Sequence, residues 1–126
     1  MCVMPLHWIV DSKERLVIAI ADGRVTRQDV EDYIRAMNGA GTLPYRKLFD
    51  GSRGETDMTP EDMLAIGVRL RERHAAGTPG ALAFVIPPDK ADLVSRVLGI
   101  LAVADRPMRI FSDLEPARRW IDSLPK

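Results

Sequence analysis

Residues Tyr45 to Ala76, YRKLFDGSRGETDMTPEDMLAIGVRLRERHAA, decide how the chain is read. Tyr45 to Asp50 forms a short strand with Leu48 and Phe49 as its apolar part. Gly51 to Asp57 is rich in turn formers and reads as a loop. A helix start follows. Thr59 can cap it, and Pro60 falls at the first helical position, where a missing N–H costs nothing. Asp62 sits where a capping box has its acid, and Met58 and Met63 occupy the positions of a hydrophobic staple. Glu61 and Asp62 lie in the first turn and Arg69, Arg71 and Arg73 near the end, which complements the helix dipole. Met63, Ile66, Gly67 and Leu70 share one face, with Leu64 and Val68 alongside. Gly77 supplies the left-handed stop.

Composition narrows the classes. The chain has 126 residues, with 18 Lys plus Arg against 18 Asp plus Glu, so its formal charge is zero. That balance argues against a nucleic-acid partner or an anionic membrane surface. A single cysteine, Cys2, leaves no intrachain disulfide and no cysteine-rich metal site. No run approaches the roughly 20 apolar residues of a membrane span. The first residues lack the pattern of a signal peptide, so the expected location is cytoplasmic.

Around the central unit the elements fall into order. Leu6 to Asp11 and Arg15 to Ala21 are strands joined by a short polar turn, which makes them an antiparallel hairpin. Thr26 caps a helix, with Asp29 three residues on and a Val25–Val30 staple. Val30, Ile34 and Met37 form its stripe, and Asn38 to Gly41 end it. Ala81 to Ile86 is a buried strand stopped by Pro87 and Pro88. Asp89 caps a third helix reaching to Ala104, apolar on more than one face. Met108 to Phe111 is the last strand. Asp113 caps a final helix whose stripe is Ala117, Trp120, Ile121 and Leu124. After the opening hairpin, strands and helices alternate, which argues for a mainly parallel sheet with right-handed crossovers. The expectation is one α/β domain over residues 1–126. It has a mixed sheet of about five strands flanked by about four helices.

Segments LVIAIADGRVT, KLFD, DMTPEDM, LAFVIPP and IFSDLEPARRWI carry a resemblance that spans nearly the whole chain. In order and spacing they resemble the STAS-like domains (sulfate transporter and anti-sigma factor antagonist), in particular the SpoIIAA-like group of small bacterial proteins. The resemblance implies a SpoIIAA-like sheet and a regulatory role through protein contact. In anti-sigma factor antagonists a phosphorylated serine sits in an Asp-Ser-Ser-Gly motif at the start of the helix after the third strand. That motif falls on Asp57-Met58-Thr59-Pro60. Asp57 matches; Thr59 stands at the acceptor position and Pro60 after it. Asp57 and Thr59 are therefore the candidate site, as phosphoacceptor or as partner contact, while the residues alone read Thr59 as a helix cap.

No catalytic, cofactor or metal constellation is expected. Asp50 ends a strand as in a receiver domain, but the acidic pair and the lysine of such a site are missing, and a magnesium site wants more than one carboxylate. Gly39 and Gly41 follow a helix rather than a strand, the wrong order for a dinucleotide loop. His7 beside Trp8 reads as an edge-strand pair. Two functions remain open. One is a regulatory module working by protein contact, with homodimerisation. The other is a carrier or sensor of a small apolar or acyl ligand near Met37, Met63, Phe84 and the third helix.

Overall fold

In a computed structural model, which describes residues 5–74, 80–86, 89 and 108–126, five strands form one sheet in the order β1-β2-β3-β4-β5. The strands are β1 (Leu6–Asp11), β2 (Leu16–Arg24), β3 (Arg46–Glu55), β4 (Leu82–Val85) and β5 (Met108–Phe111). Among the described residues the helices are α1 (Arg27–Ala40), α2 (Pro60–His74) and α3 (Leu114–Ser123). The pair β1–β2 is antiparallel and every other pair is parallel. The helix expected to run on from Asp89 through Ala104, and the stops at Gly77, Pro87 and Pro88, lie outside the described residues.

Sequential strands that neighbour each other without reversal put right-handed crossovers on one face. Thus α1 and α2 share a face and touch, while α3, after the last strand, packs on β3, β4 and β5. Two cores result. Under α3 lie Leu16, Leu48, Ala83, Val85, Ala117 and Ile121, all nearly or fully buried. Under α1 lie Leu6, Ala19, Ala21 and Val25, with Trp8, Val30 and Tyr33 packed against them. Alternation along β2 explains the split. Leu16 faces one core and Ala19 and Ala21 the other, so both faces are apolar, as in a covered central strand.

Helix ends follow the sequence. Thr26 and Asp29 form a full capping box on α1, and Gly41 closes it at φ +67°. In α3, Asp113 is the cap residue but makes no side-chain cap bond. The stripe Ala117, Trp120, Ile121 and Leu124 faces the core as expected.

One departure lies in the segment read as a loop. Strand β3 continues through Gly51 to Glu55, because β2 also runs on and Asp22, Gly23 and Arg24 pair with Arg53, Gly54 and Glu55. The register shifts between Ile20 and Asp22, so β3 carries one extra residue, a bulge. The Asp50 carboxylate holds that bulge, accepting from the Ser52 amide at 3.0 Å and the Ser52 hydroxyl at 2.6 Å. Gly54 is required, since a Cβ there would stand 2.7 Å from the Ala21 Cβ.

Arg46 opens β3 and is only 4% exposed. Its Nη1 donates to the carbonyls of Ile121 (2.8 Å) and Leu124 (3.4 Å), and its Nη2 to that of Glu14 (2.7 Å). Its backbone N–H donates to the Arg15 carbonyl at 3.1 Å. Arg15 has φ +53°, an uncommon conformation for a side-chain-bearing residue, and these bonds hold that turn. Arg46 therefore joins the hairpin turn, the start of β3 and the end of α3. Replacing it with Met removes the charge but leaves three carbonyls without this donor. We expect Arg46→Met to cost about 3 kcal/mol in urea unfolding, since each orphaned buried acceptor costs about 1–3 kcal/mol. A loss below about 0.5 kcal/mol, the size of an ordinary surface change, would contradict the role.

Candidate functional site

Strands β2 and β3 end side by side, and each leads through a short segment into a helix. Val25 donates its N–H to the Glu55 carbonyl at 2.7 Å, and the Thr56 hydroxyl donates to the Val25 carbonyl at 2.7 Å. The Met58 amide donates in turn to Thr56 Oγ1 at 3.2 Å. These bonds set the first turns of α1 and α2 beside each other at the carboxyl ends of the parallel strands, the edge where open α/β sheets bind ligands.

Thr59 and Asp62 form a second capping box. The Asp62 amide donates to Thr59 Oγ1 (3.1 Å) and the Thr59 amide to Asp62 Oδ2 (3.0 Å). The acid at this position is shorter than the usual glutamate but reaches, as Asp29 does in α1. The Asp62 carboxyl is held below its ordinary value of 3.8, first by the Thr59 amide, then by the Thr59 side chain and the Arg27 guanidinium.

Arginines tie the two starts together. Arg27 reaches Glu31 at 3.2 Å and Asp62 at 3.5 Å, and Arg69 of α2 reaches Glu31 at 3.7 Å. Asp57 pairs with Arg24 at 3.4 Å, and Asp22 lies 4.0 Å from Arg53. The Arg24–Asp57 pair is largely exposed on both sides, so it contributes little stability. Both candidate residues, Asp57 and Thr59, are exposed on this edge. Asp57 lies in an ion pair and Thr59 in a helix cap, and no bond joins the two directly.

Beside them α2 shows Leu64 at 59% and Val68 at 44% exposure. Helical spacing puts both alongside the face of Met63, Ile66, Gly67 and Leu70, but in the structure they are exposed, with Glu61 on the same side. Among the positions of α2 whose burial is described, Gly67 is the buried one.

Other candidates are engaged elsewhere. Met37 is buried and its sulfur accepts from the Thr42 hydroxyl at 3.3 Å. Phe84 packs on Phe49 with ring centroids 5.1 Å apart. A cleft of about 300 Å³ lies at the opposite sheet edge, lined by Glu14, Leu16, Arg46, Arg118, Asp122, Leu124 and Lys126. Its charges are largely paired, Arg118 with Asp122 at 3.1 Å and Lys126 with Glu14 at 2.8 Å. Among the described residues, no group of three or more His, Cys, Asp or Glu is placed to hold a metal ion, and no helix is long and apolar enough to cross a membrane.

No protein-family profile matches the chain, and no curated protein is significantly similar to it. Solved structures do match. An uncharacterized protein of the DUF3478 family with a SpoIIAA-like fold, from Shewanella loihica PV-4, superposes with a TM-score of 0.61. The alignment covers 92% of this chain and 93% of that one at 15% identity. The fold is therefore SpoIIAA-like. A chain in the complex of the diguanylate cyclase SiaD with its activator SiaC, from Pseudomonas aeruginosa, aligns over 82% of this chain and 88% of its own. At a TM-score of 0.49 and 16% identity, that likeness carries no argument.

Two measurements check the caps. Thr59→Ala should cost about 1 kcal/mol in chemical unfolding, the usual worth of such a cap. Asp62 has its carboxyl pKa lowered by folding, so its stabilising effect is complete above 3.8 and fades as pH falls through the lower folded value. In Asp62→Asn that part of the acid sensitivity should be missing, so the loss of stability between pH 5 and pH 2 should be shallower than in the wild type. Equal acid slopes would contradict the assignment.

Proposed function

We propose that this chain is a binding or regulatory module that acts through protein–protein contact, without catalytic chemistry of its own. Its contact surface is the exposed start of α2: Asp57 and Thr59, followed by Glu61, Leu64 and Val68. The observation that carries this reading is the exposure of Leu64 and Val68 within the first three turns beyond the Thr59 cap. An apolar pair four residues apart on a helix offers an anchor for one apolar side chain. Asp57 and Glu61 beside it favour a partner that brings a cation next to that anchor. Central apolar anchors with a charged rim are the usual anatomy of specific contacts.

Partner contact suits Thr59 better than phosphoryl acceptance. Its oxygen already accepts the Asp62 amide, and the first turn holds two carboxylates, Glu61 and Asp62, that oppose a further negative group. The SpoIIAA-like fold is compatible with this function but does not by itself imply it.

A photo-crosslinking amino acid placed at Glu61 in the producing cells tests the proposal, with Lys13 at the opposite edge as the control position. The expected result is a discrete adduct from position 61, absent from position 13 and lost when Leu64→Glu is added. Identical adduct patterns from both positions, or an adduct at 61 that Leu64→Glu leaves unchanged, would contradict it.

A further inference from the structure

We propose that β1 is a self-complementary edge through which two copies of this chain join into one continuous ten-stranded sheet. This interface is independent of the α2 surface and rests on the backbone of β1.

Strand β1 lies at the end of the sheet and pairs only with β2 among the described residues. The direction of its backbone groups follows from one bond. Asp22 donates its N–H to the Pro5 carbonyl at 2.7 Å, in line with the register Leu6↔Ala21. Pro5 therefore belongs to the hydrogen-bonded positions, and so do His7, Ile9 and Asp11. The groups of Leu6, Trp8 and Val10 point the other way, out from the sheet. Pro5, the one proline near this strand, falls at an inward position and removes no outward donor.

Three outward residues spaced evenly about Trp8 make the edge its own complement. Turned about a two-fold axis through Trp8, the strand meets a copy of itself in antiparallel register. Leu6 then opposes Val10 of the other copy and Trp8 opposes Trp8. Each of these pairs exchanges two N–H···O=C bonds, about six in all. His7 and Ile9 oppose each other in the pairs between, where side chains approach more closely. An isologous contact of this kind closes after two copies and leaves no growing end.

Side chains on this strand fit that use. Soluble proteins usually blunt a free edge with lysine, proline, a bulge or a covering element. Strand β1 has no lysine, no bulge in its pairing with β2, and a 62% exposed Ile9 on the face that α3 leaves uncovered. On the other face Trp8 packs edge-on against Tyr33 of α1, at 5.5 Å between centroids. The zero formal charge of the chain removes the net repulsion that keeps like molecules apart.

Sedimentation of the purified wild-type chain at micromolar concentration is expected to show twice the chain mass. Val10→Pro deletes an outward N–H in each copy without touching a β2 bond, and should weaken association by at least about tenfold. Ile9→Lys places two cations at the interface and should do the same. Both variants should keep wild-type circular dichroism and cooperative melting. The register has its own test in a Cys2→Ser background. An equimolar mixture of His7→Cys and Ile9→Cys chains should form an intermolecular disulfide on mild oxidation, because opposed residues in such pairs lie about 4.5 Å apart at Cα. Either variant alone should not. A wild-type chain that stays monomeric, variants that dimerise as tightly as the wild type, or a mixture that fails to crosslink would each overturn the proposal.

Discussion

A buried guanidinium holds the ends of this fold together. Arg46 is 4% exposed, with three backbone carbonyls around it and, among the described residues, no carboxylate bonded to it. Two of those carbonyls, from Ile121 and Leu124, belong to the end of α3, where carbonyls lack helical partners and the helix dipole is negative. The arginine supplies donors to groups that would otherwise be orphaned, and the dipole offsets its charge. Its Nε finds no partner, a cost that the other bonds outweigh. Because α3 covers β3, β4 and β5, fastening its end also closes the core of Leu48, Val85 and Ile121.

The opposite edge is built differently. There the sheet ends in two capped helix starts joined by the Arg27–Asp62 and Arg69–Glu31 pairs, with the exposed Arg24–Asp57 pair beside them. The exposed Arg24–Asp57 pair contributes little to stability. Leu64 and Val68 add apolar area at the same place. The parallel topology thus separates an edge tied by Arg46 from one that ends in two capped helix starts, while β1 forms an outer strand of the sheet.

Local signals were legible in the sequence because they involve neighbours. Thr-Pro at 59 and 60 placed the start of α2, Thr26 with Asp29 placed that of α1, and Met108 to Phe111 marked β5 at its observed bounds. From sequence Gly51 to Glu55 reads as a loop, but the structure makes it the end of β3. Its glycines and serine look like turn formers, but Gly54 is there for close approach to Ala21, and Asp50 and Ser52 serve a bulge. Periodicity puts Leu64 and Val68 beside the buried face but cannot tell how wide a stripe the neighbours cover, and both are exposed. The Arg46 bonds span up to 78 residues, and the Arg27–Asp62 pair spans 35, so no local pattern announces either. Of the candidate site, the cap at Thr59 could be read directly, whereas the pairing of Asp57 with Arg24 needed the fold.

Amide chemical shifts of Arg46→Met against the wild type test the separation of the two edges most directly. The account predicts shifts confined to Glu14 to Leu16, the first residues of β3 and the C-terminal turn of α3, with the capped turns at Thr26 and Thr59 unmoved. Comparable shifts at Thr26 and Thr59 would show that the two edges act as one unit and would contradict the account.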